Sequence, residues 1–98
     1  MNNIFNKKLL KTNWYYCEPI RGGLLLIPNL SVDSDNIEII ELSGTGKIIW
    51  DSIENHTVEE LIATVWKQFD DIDVKIVAND VCEFLQSLFE KKAIKYSE

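Results

Sequence analysis

The chain has 98 residues, enough to bury one hydrophobic core but not two. Apolar residues make up 46% and charged residues 27%, ordinary globular usage that argues against disorder. Sixteen acids against ten bases give a net charge of -6, which repels a phosphate backbone, and one histidine with two cysteines leaves few groups for chemistry.

No apolar run is long enough to span a bilayer; the longest, Leu24 to Ile27, stops at Pro28. Met1 to Asn13 carries basic residues without an apolar stretch after them, so it does not read as a secretory signal. These features predict a small, soluble, cytoplasmic binding domain rather than an enzyme, with no nucleic acid and no membrane among its partners. Cys17 and Cys82 lie far apart in sequence without metal-ligand spacing and read as buried, reduced and structural. The charge is uneven: residues 1–12 hold Lys7, Lys8 and Lys11 and no acid, whereas the acids dominate both 13–56 and 57–98. The first twelve residues are therefore expected to form a flexible basic tail, and 13–98 a single domain.

Trp14-Tyr15-Tyr16-Cys17-Glu18 is dense in strand-favouring residues and ends at Pro19. Arg21-Gly22-Gly23 predicts a tight turn, and Leu24 to Ile27 a return strand buried on both faces. Pro28 to Asn36 is a loop by composition. Ile37-Glu38-Ile39-Ile40-Glu41-Leu42 follows as a third strand. Its glutamates fall on opposite faces, the pattern of an edge strand with free backbone groups along one side.

Helical spacing begins at Ser43, a predicted N-cap, with Ile49, Trp50 and Ile53 on one face. Thr57-Val58-Glu59-Glu60 is a capping box. The stripe Val58, Leu61, Ile62, Val65, Trp66, Phe69 then marks a second helix. A third helix is predicted over Val74–Lys91. Its apolar residues Val74, Val77, Ala78, Val81, Cys82, Phe84, Leu85, Leu88 and Phe89 spread over roughly 160°, against the about 100° that one core requires. The surplus edge, toward Ala78, Cys82, Leu85 and Phe89, meets either the β-hairpin or a partner. Ala93 to Tyr96 can close the chain as a short strand. The predicted fold is α+β and winged helix-turn-helix-like, a three-stranded antiparallel sheet followed by three helices.

Chemical motifs fail on inspection. Gly44-Thr45-Gly46-Lys47 lacks the glycine and the hydroxyl of a phosphate loop, since Glu41 and Ile48 stand in their places. Asp33 to Asn36 begins like a calcium loop but has Ile37 at the third ligand position. His56 has no second histidine or local cysteine, so no metal or cofactor is expected. The third helix sets Lys75 and Lys91 against Asp80, Glu83 and Glu90, the wrong balance for a DNA groove.

Three segments in order, Leu42-Ser43-Gly44-Thr45-Gly46-Lys47-Ile48-Ile49-Trp50, Thr57-Val58-Glu59-Glu60-Leu61 and Asp80-Val81-Cys82-Glu83-Phe84-Leu85-Gln86-Ser87-Leu88, resemble the PqqD-like family over about residues 23 to 94. Members of that family are RiPP recognition elements, which bind precursors of ribosomally made, post-translationally modified peptides. Lys92 departs from the glycine common in the family at that position, and the loop from Pro28 to Asn36 looks longer than in compact members.

The resemblance implies a stand-alone chaperone that binds a leader peptide by β-augmentation beside the third strand, with the third helix closing the groove. It implies that the backbone of Ile37, Glu38, Ile39, Ile40, Glu41 and Leu42 pairs with the leader. Val74, Ala78, Val81, Cys82 and Leu85 are the expected groove lining. The implied partners are the precursor, whether of lasso or another class, and a modifying enzyme, either a radical SAM enzyme or a leader peptidase and cyclase system. The expected state is a monomer or weak dimer. The alternative reading is a winged-helix regulatory domain that binds a protein partner or DNA.

Overall fold

The computed structural model describes residues 7–29, 38–69 and 71–97. The first strand, β1 (Lys8–Lys11), runs through the segment expected to be a tail. It pairs antiparallel with β5 (His56–Thr57) on one side and β6 (Ile94–Tyr96) on the other, so it is the centre of a three-stranded sheet. Leu9 is fully buried, the Lys11 ammonium lies 4.6 Å from the Trp50 ring centroid, and the Lys11 N–H donates to Glu54 Oε1 at 2.9 Å. Residues 8–11 are thus strand and not tail, although they begin and end in lysine. These lysines flank a Leu-Leu pair whose buried member docks on the core while the cationic stems cover apolar surface. Residues 1–6 of that expected tail lie outside the described residues.

The second sheet has the order β2-β3-β4. Tyr15–Ile20 (β2) and Gly23–Pro28 (β3) form the predicted hairpin around Arg21-Gly22, with Gly22 at φ 81. Trp14 precedes the strand, which continues through Pro19. A proline is tolerated there because β2 is an edge. Leu24 and Leu26 are buried whereas Leu25 and Ile27 are half-buried, so only one face of β3 is fully covered. Cys17, expected to be buried, is exposed on β2; Cys82 is half-buried and both thiols are free.

The third predicted strand is shorter than expected. It is β4 (Ile40–Ser43), paired with β3 from Leu26↔Ile40 to Gly23↔Ser43. Glu38 and Ile39 precede it without regular structure, and Ile37, with the expected loop at 30–36 and its aspartates, lies outside the described residues. Ser43 ends this strand instead of capping a helix. Gly44, at φ 54, makes the turn into α1 (Thr45–Ser52), a left-handed backbone that serine adopts poorly.

The capping box forms as predicted. Thr57 Oγ1 accepts from the Glu60 N–H at 3.1 Å and Glu60 Oε1 accepts from the Thr57 N–H at 2.9 Å, opening α2 (Val58–Trp66). The Thr57 N–H bond to the ionised carboxylate is the main cause that lowers the Glu60 pKa. The helix stops at Trp66, where the chain turns at Lys67, so Trp66 and Phe69 at the end of the predicted stripe are exposed. Asp73 caps α3 (Val74–Glu90) by accepting the Lys75 N–H at 2.8 Å.

Helices and both sheets meet on one apolar core: Leu9, Leu24, Leu26, Leu42, Ile49, Trp50, Ile53, Val58, Leu61, Val65, Val77, Val81, Leu85, Leu88, Ala93 and Ile94. Among the described residues no polar or charged side chain is buried. The architecture is α+β and winged-helix-like, with the β5-β1-β6 sheet added to the predicted plan.

Candidate functional site

In the second sheet, β4 pairs only with β3, so its other side is an open edge among the described residues. Backbone direction on this edge follows from one close approach. The Leu42 carbonyl oxygen lies where a Cβ on Gly23 would stand, so closely that any side chain there would collide with it. Leu42 therefore turns its polar groups toward β3, and Ile40 does the same. By alternation Glu41 and Ser43 turn N–H and C=O outward. At the opposite edge, β2 carries Pro19, which has no N–H to offer.

Two contacts show which side of α3 is turned toward β4. Near the start of α1, a Cβ on Gly46 would lie 3.3 Å from the Phe84 ring and 3.8 Å from the Leu42 side chain. Near the end of α3, Lys91 Nζ lies 3.4 Å from Glu38 Oε1, just before β4. Phe84 and Lys91 belong to one line along the helix, Asp80, Phe84, Ser87 and Lys91, spaced i, i+4, i+7, i+11. The strand runs antiparallel to this line. Between the helices, at the Asp80 end, is a cavity of about 230 Å³ walled by Ile49, Val65, Phe69, Val77 and Phe84, with Thr45 and Asp80 also lining it.

Tyr15 closes the other end. Its hydroxyl donates to the Lys91 carbonyl oxygen at 2.9 Å. Burial raises the Tyr15 pKa, the Glu38 charge adds to the rise, and Lys91 partly opposes it.

The opposite flank of α3 is covered. Phe89 and Tyr96 rings stack 4.7 Å apart, and burial raises the Tyr96 pKa, with Cys82 adding to it. Through Phe89 and Cys82, the surplus apolar edge seen in the sequence thus meets Tyr96 of β6 instead of the hairpin.

The expected site residues divide accordingly. Glu41 sits on the open edge, exposed, while Ile40 is half-buried in β4. Glu38 and Ile39 adjoin the edge as exposed residues outside the strand. Leu42 contributes to β4 but its side chain is in the core. Leu85 is packed into the core, and Val81, also buried, lines the cavity at the Asp80 end. Cys82, with Ala78 one turn before it, lies on the Tyr96 flank, away from β4; Val74 is exposed at the first turn. A 160° apolar arc does not say which border faces the strand. The Phe84 and Lys91 contacts mark the border turned toward it, and Asp80 and Ser87 share that helical line, where the apolar arc gives way to charge.

The small residues Gly44 to Gly46 open α1, and Lys47 binds Asp51 at 2.7 Å. Among the described residues no three metal-ligating side chains cluster, and no helix is long and apolar enough to cross a membrane.

The family model for coenzyme PQQ synthesis protein D (PqqD) matches residues 30–94, two-thirds of the chain. The chain belongs to the PqqD family. The fold of this PqqD-family protein is similar to that of TbiB1, solved in complex with the TbiA(beta) leader peptide. The TM-score is 0.73 at 19% identity, with 91% of this chain and 99% of that chain covered. No curated protein matches the sequence.

Proposed function

We infer that this PqqD-family protein is a RiPP recognition element that binds the leader segment of a precursor peptide. The leader adds as an antiparallel strand to β4, lying against the Asp80–Lys91 line of α3. The observation that carries this reading is the open β4 edge opposite α3, in a fold similar to a protein solved with a leader peptide. Outward N–H and C=O groups at Glu41 and Ser43 provide sequence-independent pairing, each bond contributing about 0.5–1.5 kcal/mol net. Side chains against α3 supply selectivity. The domain acts by holding the peptide for a separate modifying enzyme or leader peptidase, which explains a chain with so few reactive groups.

Calorimetric titration with the synthetic leader of the cognate precursor tests the reading. Glu41→Pro removes one outward N–H and leaves the Ile40 and Leu42 bonds to β3 in place. It should abolish or greatly weaken binding while circular dichroism stays native. Cys82→Ala, on the covered flank, should bind like the parent. Equal affinity for Glu41→Pro and parent would falsify strand addition at β4.

A further inference from the structure

The groove wall is charged in opposite senses at its two ends. Asp80 stands at the end beside Gly46, and among the described residues it has no ion-pair partner. Lys91 stands at the other end, with Glu38 at 3.4 Å through side chains that are 32% and 63% exposed, an open pair that a competing carboxylate can enter. Beside Asp80 lies the cavity of about 230 Å³, whose walls include Phe69 and Phe84. That is too small for a cofactor or other drug-sized ligand, which takes roughly 300 Å³ or more, and suits one large apolar side chain.

Direction follows from the pairing. Strand β4 runs from the Lys91 end toward Gly46, so an antiparallel peptide runs from the Asp80 end toward Lys91. Asp80 and Lys91 are separated by eleven helical positions, about 16 Å along the axis. An extended peptide covers that distance in about five residues.

We propose that this groove reads a charge order in its peptide: a basic residue two positions from a bulky apolar anchor at the N-terminal end, then an acidic residue four or six positions after the basic one, so that all three share the strand face turned to α3. The anchor fills the cavity between α1, α2 and α3, the basic side chain meets Asp80, and the acidic one meets Lys91. The inference rests on the leader-binding reading and adds to it the polarity and sequence class of the peptide. The overall charge of -6 gives no such order, because it disfavours acids everywhere alike.

The test uses random twelve-residue peptides displayed on phage, selected at low salt against the full chain and against the double variant Asp80→Lys with Lys91→Glu. Both substituted side chains are at least partly exposed, and circular dichroism checks that the double variant keeps the fold. Each selected peptide is then measured on Glu41→Pro. Peptides that depend on Glu41 and carry the basic residue before the acidic one support the proposal. Those peptides should lose about threefold to tenfold in affinity when their two charges are exchanged. The charge-swapped variant should select the reverse order. Peptides that depend on Glu41 but show no charge order, or the same order on both proteins, overturn the proposal and leave the groove standing. If no selected peptide depends on Glu41, the groove reading falls and the charge order falls with it.

Discussion

Each flank of α3 carries one half-buried phenylalanine, Phe89 on one and Phe84 on the other, and the flanks differ in charge and in what covers them. On one, Cys82 and Phe89 lie against Tyr96 of β6, and the ring stack closes the surface. On the other, the line through Asp80, Phe84, Ser87 and Lys91 is turned by its Phe84 and Lys91 contacts toward a strand whose outer backbone is unpaired among the described residues. An apolar helix flank is therefore informative only together with its neighbour. A neighbouring strand that is itself satisfied completes the fold, and a neighbouring strand with free N–H and C=O groups makes a place for another chain.

The sharpest way to break the comparison is to cut the seam beneath both flanks. Leu85 is 2% exposed, and Leu85→Ala should cost about 2–5 kcal/mol in urea unfolding. Phe89→Ala separates the flanks. It should lose about 1–3 kcal/mol of stability through the missing ring contact while leaving leader affinity unchanged in calorimetry. Ser87→Trp should do the reverse. A bulky side chain on the open flank should lower affinity about tenfold, roughly 1.4 kcal/mol, with the melting temperature near the parent value. Should Phe89→Ala impair binding and Ser87→Trp spare it, the flanks have been assigned backwards.

The smallest expected effect is at alkaline pH. Burial raises the phenol pKa of Tyr96 on the covered flank and of Tyr15 at the end of the groove. A raised folded value means that the contribution is fully present below the ordinary value of about 10 and is lost as pH rises through the folded one. Tyr96→Phe should flatten the alkaline decline in melting temperature.

How much of this was legible in the sequence depended on whether the signal was local. The capping box at Thr57 and Glu60 is a four-residue pattern whose partners are its own backbone, and it formed as read. The hairpin at Gly22-Gly23 is equally local. The open edge was legible because Glu38 and Glu41 on opposite faces exclude a strand buried on both sides, although the strand itself shortened to Ile40–Ser43. What failed was long-range. Strand β1 has only Leu9 and Leu10 between lysines, and its pairing partners lie over 45 residues away in sequence. The rotation of α3 failed for a similar reason. Val81 and Leu85 lie at the middle of the apolar arc and are core, while Cys82 and Phe84 lie at its two borders. Only Gly46 against Phe84 and Glu38 against Lys91 decide between those borders.

The most direct test is amide hydrogen exchange followed by NMR on the labelled chain, free and with its leader. Free of peptide, Glu41 and Ser43 amides should exchange quickly while Ile40 and Leu42 are protected by β3. With the leader bound, Glu41 and Ser43 should become protected, and the Phe89–Tyr96 flank should not change. Protection appearing on that flank or along β2, with Glu41 and Ser43 still exchanging freely, would contradict the account.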